Sequence, residues 1–514
     1  MRALSAAVAV SLGLTVAGAA APAAAQSPSS HSVRAIVMVR PGVALPLSVP
    51  GGRVTTVLSH VGAEVVTAPV WSLRSLASDP RVLGMSPDRR GHVAGDDNTD
   101  GGDTDGVLAA QALGGKAGQK NTGQGVNVAL LDTGVSDTPA LNRASGRITD
   151  GVDTSQLNSG GDAVTSGTFT DGYGHGTFLA SLIAGGKVPG SGGRAIGIAP
   201  AARIVVVKVA DAQGNTSLSD VLAGLDWVAA HARAIQVVNL ALAVDRPTAP
   251  AYGADPLTAA VEHVRAAGVV VVAAAGNQPS EVGDPGLDPQ SLTVGAADVS
   301  GKRPSVAPFS GSGVVAGVTK PDVVAPGLHV LGVINSDSLV AQQHPEGWAD
   351  HRLFKGSGTS EATAIASGVA AAYLSDNPGA TPLEVKSALR KQASPLNDNR
   401  AGAGLLNMVN GNGPKPSAAD SGEAGWDTNS WTANAWQGVP NWQTQLESMW
   451  SGPAWDAMSW SGSTWSAMSW SGSTWSAMSW SAMSWSAMSW SAMSWSAMSW
   501  SALSWSDYGW GDAS

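Results

Sequence analysis

Apolar residues along this chain gather into short runs separated by polar, glycine-rich breaks. The runs at 125–135, 204–209, 237–243 and 269–275 are almost unbroken and rich in Val, Leu and Ala, the pattern of central parallel strands buried on both faces. Between and after them lie 178–184, 219–232, 257–267 and 361–374, Ala-rich, free of Pro and compatible with helix. Strand and helix alternate in the order of right-handed crossovers. Residues 119–412 are therefore expected to form an α/β domain, a parallel β-sheet with helices on both faces.

The pattern changes at both ends. Residues 1–25 carry one early positive charge at Arg2, an apolar stretch, and Ala23-Ala24-Ala25; this reads as a secretory signal peptide too short to span a membrane. Residues 26–90 follow as a small α+β unit. In it strands are expected at 35–39, 63–67 and 82–85, a turn at Pro41-Gly42, a helix-like stretch at 54–60 and a short helix at 73–78. Residues 91–118, rich in Gly and Asp at their start, have the composition of a linker. A second linker is expected at 413–425.

Residues 426–514 form a Trp-rich repeat tail. From Trp450 to Trp510 a tryptophan stands at every fifth position, mostly in units of Ser-Trp-Ser-Ala-Met. A period of five matches neither helix nor strand, so no single apolar stripe results. Three readings stay open: a disordered low-complexity segment, a β-solenoid, and a strip whose Trp faces bind carbohydrate or cell envelope.

Charge and cysteine content narrow the setting. The formal net charge is −10 and no basic run interrupts it, which argues against nonspecific nucleic-acid binding. There is no cysteine, so an exported protein of this sequence relies on its core rather than on disulfides.

Four short motifs carry candidate chemistry. Asp132 ends the first strand, where open α/β sheets place their sites, although an Asp there is also an ordinary turn residue. His175 lies in Gly174-His175-Gly176-Thr177 at a helix start, where flanking glycines allow close backbone approach. Asn277 follows Gly276 at a strand end and offers an amide donor to a developing negative charge; an Asx-turn is the alternative. Ser360 sits in Gly356-Ser357-Gly358-Thr359-Ser360 at the mouth of a helix. First-turn N–H groups there face an oxyanion as readily as they accept a cap.

Together, Asp132-Thr133-Gly134, Gly174-His175-Gly176-Thr177, Ala275-Gly276-Asn277 and Gly358-Thr359-Ser360 resemble the subtilisin-like serine peptidases, whose order is Asp, His, Ser. The resemblance covers about 119–412. It implies a serine endopeptidase with catalytic Asp132, His175 and Ser360, the amide of Asn277 as oxyanion donor, and Ala241, Leu242, Ala243 and Gly276 along the substrate. It also implies that 26–90 is an inhibitory pro-segment, that protein or peptide is the substrate, and that the chemistry needs no cofactor. Asp255, Asp284 and Asp288 lie in Gly/Pro-rich loops of the kind that hold structural Ca²⁺ in related enzymes. They lack the repeated oxygen spacing of a calcium loop, so no metal ligand is assigned.

The sequence departs from the family's pattern in three places. The position after the nucleophile, usually Met, is Glu361, and the usual Pro three residues further on is Ala364. The substrate strand, usually Ser-Leu-Gly, reads Ala241-Leu242-Ala243. Main-chain pairing with a peptide tolerates this change, but the Ala243 methyl narrows the pocket beside it. These departures give some motive to a contrasting reading, an inactive peptidase fold that serves as scaffold for a surface-binding tail. The intact Asp132, His175 and Ser360 argue for the enzyme.

Overall fold

The computed structural model describes residues 32–93, 108, 109, 113, 122–189, 191–244, 255–315, 317–349 and 352–408. The signal peptide expected at 1–25, most of the 91–118 linker and the whole Trp-rich tail lie outside these residues.

The chain opens with strands β1 (Ser32–Val39), β2 (Arg53–Leu58) and β3 (Ala63–Pro69), helix α1 (Val70–Ala77) and strand β4 (Val82–Pro87). They form an antiparallel sheet of order β2-β3-β1-β4. The stretch at 54–60, expected to be helix-like, is mostly strand β2. Its Val54-Thr55-Thr56-Val57 run is β-branched throughout, which disfavours helix and suits a pleated surface.

The main sheet is built from β6 (Asn127–Asp132), β7 (Ile148–Asp153), β8 (Arg203–Lys208), β10 (Val237–Leu240), β12 (Val270–Ala274), β13 (Leu292–Asp298), β14 (Ser305–Val306) and β15 (Val323–Pro326). Seven strands are parallel in the order β15-β13-β12-β10-β6-β8-β7, and the two-residue β14 is antiparallel on β13. Both faces are covered. Val128, Leu130, Val206 and Val272 share a core with α2 (His175–Ala184) and α5 (Thr359–Asp376). The alternate residues Ala129, Leu131, Val207 and Val271 share another with α3 (Leu218–Ala230) and α4 (Pro256–Ala266). This alternation is why the strands read as unbroken apolar runs: their apolar residues are inside on both faces. Among the described residues, no helix is long and apolar enough to cross a membrane.

Two expectations need correction. The run 237–243 is not one strand: after Leu240 the chain leaves the main sheet, and β11 (Leu242–Val244) joins a separate three-stranded antiparallel sheet. The middle strand of that sheet is β5 (Arg90–Val93), between β11 and β9 (Asn215–Ser217). Gly91, His92 and Val93, expected to begin a linker, are thus paired on both sides. Gly91 suits this position because a Cβ there would stand 2.6 Å from the Ala243 carbonyl.

The N-terminal sheet is fastened to α3 and its neighbours. Ile36, Leu58 and Val65 belong to the same apolar core as Val221 and Leu225. The Asp226 carboxylate accepts from the amides of His60 at 2.6 Å and Val61 at 3.0 Å. Asp88 accepts from the Ser219 amide at 2.8 Å and pairs with Arg34 at 2.6 Å, an anion at the positive end of α3.

Candidate active site

Asp132 ends β6, and His175 opens α2. His175 Nδ1 donates to the Asp132 carboxylate, with both oxygens 2.9 Å away. The carboxylate is held from the other side by the Thr133 amide at 2.8 Å and the Thr133 hydroxyl at 3.1 Å. A Cβ at Gly176 would lie 2.1 Å from the Gly134 carbonyl oxygen, so only glycine lets the helix start this close to the strand end. The loop before His175 closes around Asp171, whose carboxylate accepts from the amides of Gly174 and Thr177, each at 2.7 Å.

Burial would push the His175 imidazole down. The adjacent Asp132 carboxylate, with Glu361 and Asp171 beyond it, outweighs that cost, and the net shift is upward. Nε2 of His175 is buried and has no hydrogen-bond partner.

Ser360, fully buried, stands in the first turn of α5, where backbone amides lack helical acceptors. Its Oγ donates to the Ala241 carbonyl at 3.3 Å, not to Nε2 of His175. Catalytic hydrogen bonds are commonly loose without substrate and tighten when it binds. Asn277 is tied to the same helix start. Its Oδ1 accepts from the Thr359 amide at 3.0 Å and the Thr359 hydroxyl at 2.9 Å, and the Gly276 amide donates to that hydroxyl at 3.2 Å. This fixes the amide plane, with Oδ1 committed to the helix and Nδ2 left as the donor edge.

Leu242 and Ala243 lie in β11 and pair with Val93 and His92 of β5. Ala241 precedes them beside Ser360. The stretch of cleft next to the candidate nucleophile is therefore already paired with a strand from the N-terminal unit. Asp132, His175, Asn277, Ser360, Ala241, Leu242, Ala243 and Gly276 converge on one region at the carboxyl ends of β6, β10 and β12.

The sequence profile of the Subtilase family matches residues 123–413, more than half of the chain. The chain belongs to the subtilase family. Serine protease AprX of Bacillus subtilis is 34% identical over 309 residues, covering 57% of this chain and 67% of that protein. Subtilisin E of Bacillus subtilis is 30% identical over 371 residues, covering 70% and 84%. This subtilase is accordingly a serine endopeptidase. Among solved structures, fervidolysin from Fervidobacterium pennivorans, a keratinolytic enzyme related to subtilisin, superposes with a TM-score of 0.58. It is 22% identical and covers 76% of this chain and 62% of that one, a likeness of fold.

The three aspartates considered for Ca²⁺ have protein partners in this subtilase. Asp255 and Asp284 both meet the Arg89 guanidinium, and Asp288 accepts from the amides of Gln290 and Ser291 at 2.6 and 2.9 Å. Among the described residues, no group of three or more His, Cys, Asp or Glu is placed to hold a metal. Sequence reasoning did not single out Thr133, Thr359 or the carboxylate of Asp171. Each acts on a residue that the motifs do flag, and only the fold brings the distant partners together.

Proposed function

We propose that this chain is an exported endopeptidase made as a proenzyme, and that Ser360, His175 and Asp132 carry its chemistry. In this reading Ser360 Oγ adds to the scissile carbonyl carbon while its proton passes to Nε2 of His175. Asp132 holds the imidazole by Nδ1 and stabilises its charged form. The oxyanion is received by the Asn277 Nδ2 and the Ser360 amide. Collapse breaks the C–N bond, the leaving amine takes the proton from Nε2, and an acyl-enzyme remains. Water then repeats the sequence, with His175 as base, to release the acid and restore Ser360. No cofactor enters these steps. Ala241, Leu242, Ala243 and Gly276 pair with the extended substrate.

The observation that carries this reading is His175, clamped through Nδ1 by both oxygens of Asp132 while Nε2 is buried without a partner. Burial leaves a polar nitrogen unsatisfied at a cost, as expected of a base kept ready for the Ser360 proton.

The N-terminal unit is read as the intramolecular inhibitor. The pairing of β5 with β11 supports this, since a strand already in the cleft excludes an extended peptide. The Trp-rich tail 426–514 is read as an attachment segment for cell envelope or carbohydrate. The test is hydrolysis of casein by the exported protein, expected to vanish in Ser360→Ala. In Asn277→Ala kcat is expected to fall by about two to three powers of ten, a magnitude carried over from subtilisin. Full casein hydrolysis by Ser360→Ala would overturn the assignment.

A further inference from the structure

Arg89, the last residue before β5, is an arginine inside the protein, only 3% exposed. Its guanidinium reaches across to the catalytic domain. Nη2 donates to Asp255 Oδ1, and Nη1 donates to Asp284 Oδ2 at 3.5 Å. Both carboxylates are as deeply buried as the arginine. They come from separate places in the fold: Asp255 caps α4 through Oδ2, which accepts from the Thr258 amide at 3.1 Å. The Asp284 carbonyl accepts from the Val244 amide at the end of β11 at 3.2 Å. The Asp284 backbone is thus tied to the strand that β5 pairs with.

Arg89 also lies on the path of that pairing. Its own carbonyl accepts from the Leu218 amide at 2.7 Å, one step beyond the Arg90–Ser217 pair of β5 and β9. In this register Val93 faces Leu242, and Ala241, one residue before Leu242, has its carbonyl bound by Ser360 Oγ. If a substrate residue set opposite Ala241 is counted as the first, the place opposite Leu242 held by Val93 is the second and the place held by Arg89 is the sixth.

We infer that Asp255 and Asp284 form an acidic subsite that takes the guanidinium of an arginine in the incoming polypeptide, at the sixth residue counted back from the cleaved bond. The inference rests on the reading of 26–90 as a removable pro-segment seated in the substrate's register. When that segment leaves, both carboxylates lose the guanidinium they share, and removing one partner of such an ion pair is costly. An arginine at the same place in a substrate restores the arrangement. The two carboxylates meet separate nitrogens of one planar fork, which suits arginine better than the single ammonium of lysine.

The test is cleavage of a mixed peptide library by the processed enzyme, with cut sites read by mass spectrometry. Arginine is expected to be enriched about tenfold at the sixth position, the scale of a charge-assisted hydrogen bond, and lysine less. The enrichment is expected to disappear in Asp255→Asn/Asp284→Asn, where asparagine keeps the helix cap at 255. Cutting with no preference for arginine at that position in the wild-type enzyme overturns the subsite and leaves the endopeptidase intact, as does enrichment at another position only. A library left uncut by protein that also fails to take up a fluorophosphonate overturns the endopeptidase reading, and the subsite with it.

Discussion

His175 is held by forces that oppose each other: burial favours its neutral form, and Asp132, Glu361 and Asp171 favour the charged one. Glu361 is the unusual member. It is 5% exposed and folds back over Gly356, where a Cβ would meet its Oε1 at 2.6 Å. The proposed mechanism needs neutral His175, so a raised imidazole pKa moves the acid limb of kcat/KM upward in pH. Glu361→Gln removes one of the charges that raise it, and the acid limb is expected to move to lower pH. A pH–rate profile whose acid limb stays in place would show that Glu361 does not act on His175. At this scale much of the site was legible, because Asp132, His175, Asn277 and Ser360 each sit in a local glycine-framed motif. The partners that orient them were not. Thr359 is 82 residues from Asn277, and no local signal joins them.

Elements are plainest in the sequence where apolar residues are buried on both faces. The apolar runs that became β6, β8 and β12 were plain, whereas β7, with Asp150, Gly151 and Asp153, resembles a loop in composition. β5 has no apolar run of its own, and its pairing comes from β9 and β11. Helix α3 carries a pH-sensitive carboxyl that feels the charges of the N-terminal unit. Asp220 in its first turn is pushed up to about 7 by burial, against the Ser217 hydroxyl that lowers it, with Asp88 adding to the rise and Arg34 opposing it. A carboxyl raised in the folded state stabilises below its unfolded pKa of 3.8, and that contribution is lost as pH rises to about 7. In full-length protein carrying Ser360→Ala, stability is expected to decline across this window by on the order of a few kcal/mol from Asp220 alone. Asp220→Asn is expected to flatten the decline. Urea denaturation at a series of pH values measures this, and an unchanged profile in the variant would count against it.

At the scale of the whole molecule, a buried charge cluster that no sequence pattern announces joins three cations to one carboxylate. Asp322, fully buried, accepts from Lys320 at 2.8 Å and Arg390 at 2.9 Å and faces Lys386 at 3.3 Å. Burial would raise its pKa, but Lys320, Lys386 and Arg390 outweigh that and hold it below the usual carboxylate range. Its stabilisation is present above that range and lost on acidification. Asp322→Asn keeps the shape and leaves the cations without their shared anion, so it is expected to cost about 3–5 kcal/mol in chemical denaturation of the Ser360→Ala protein. A cost under about 1 kcal/mol, the scale of a surface pair, would refute the central place given to Asp322. The proposed function requires that His175 and Asp132 activate Ser360. The most direct measurement is to treat the processed protein with a fluorophosphonate and map the adduct by tandem mass spectrometry. One adduct is predicted, on Ser360, and it is lost in His175→Ala. No adduct, or an adduct on another serine, would contradict the account.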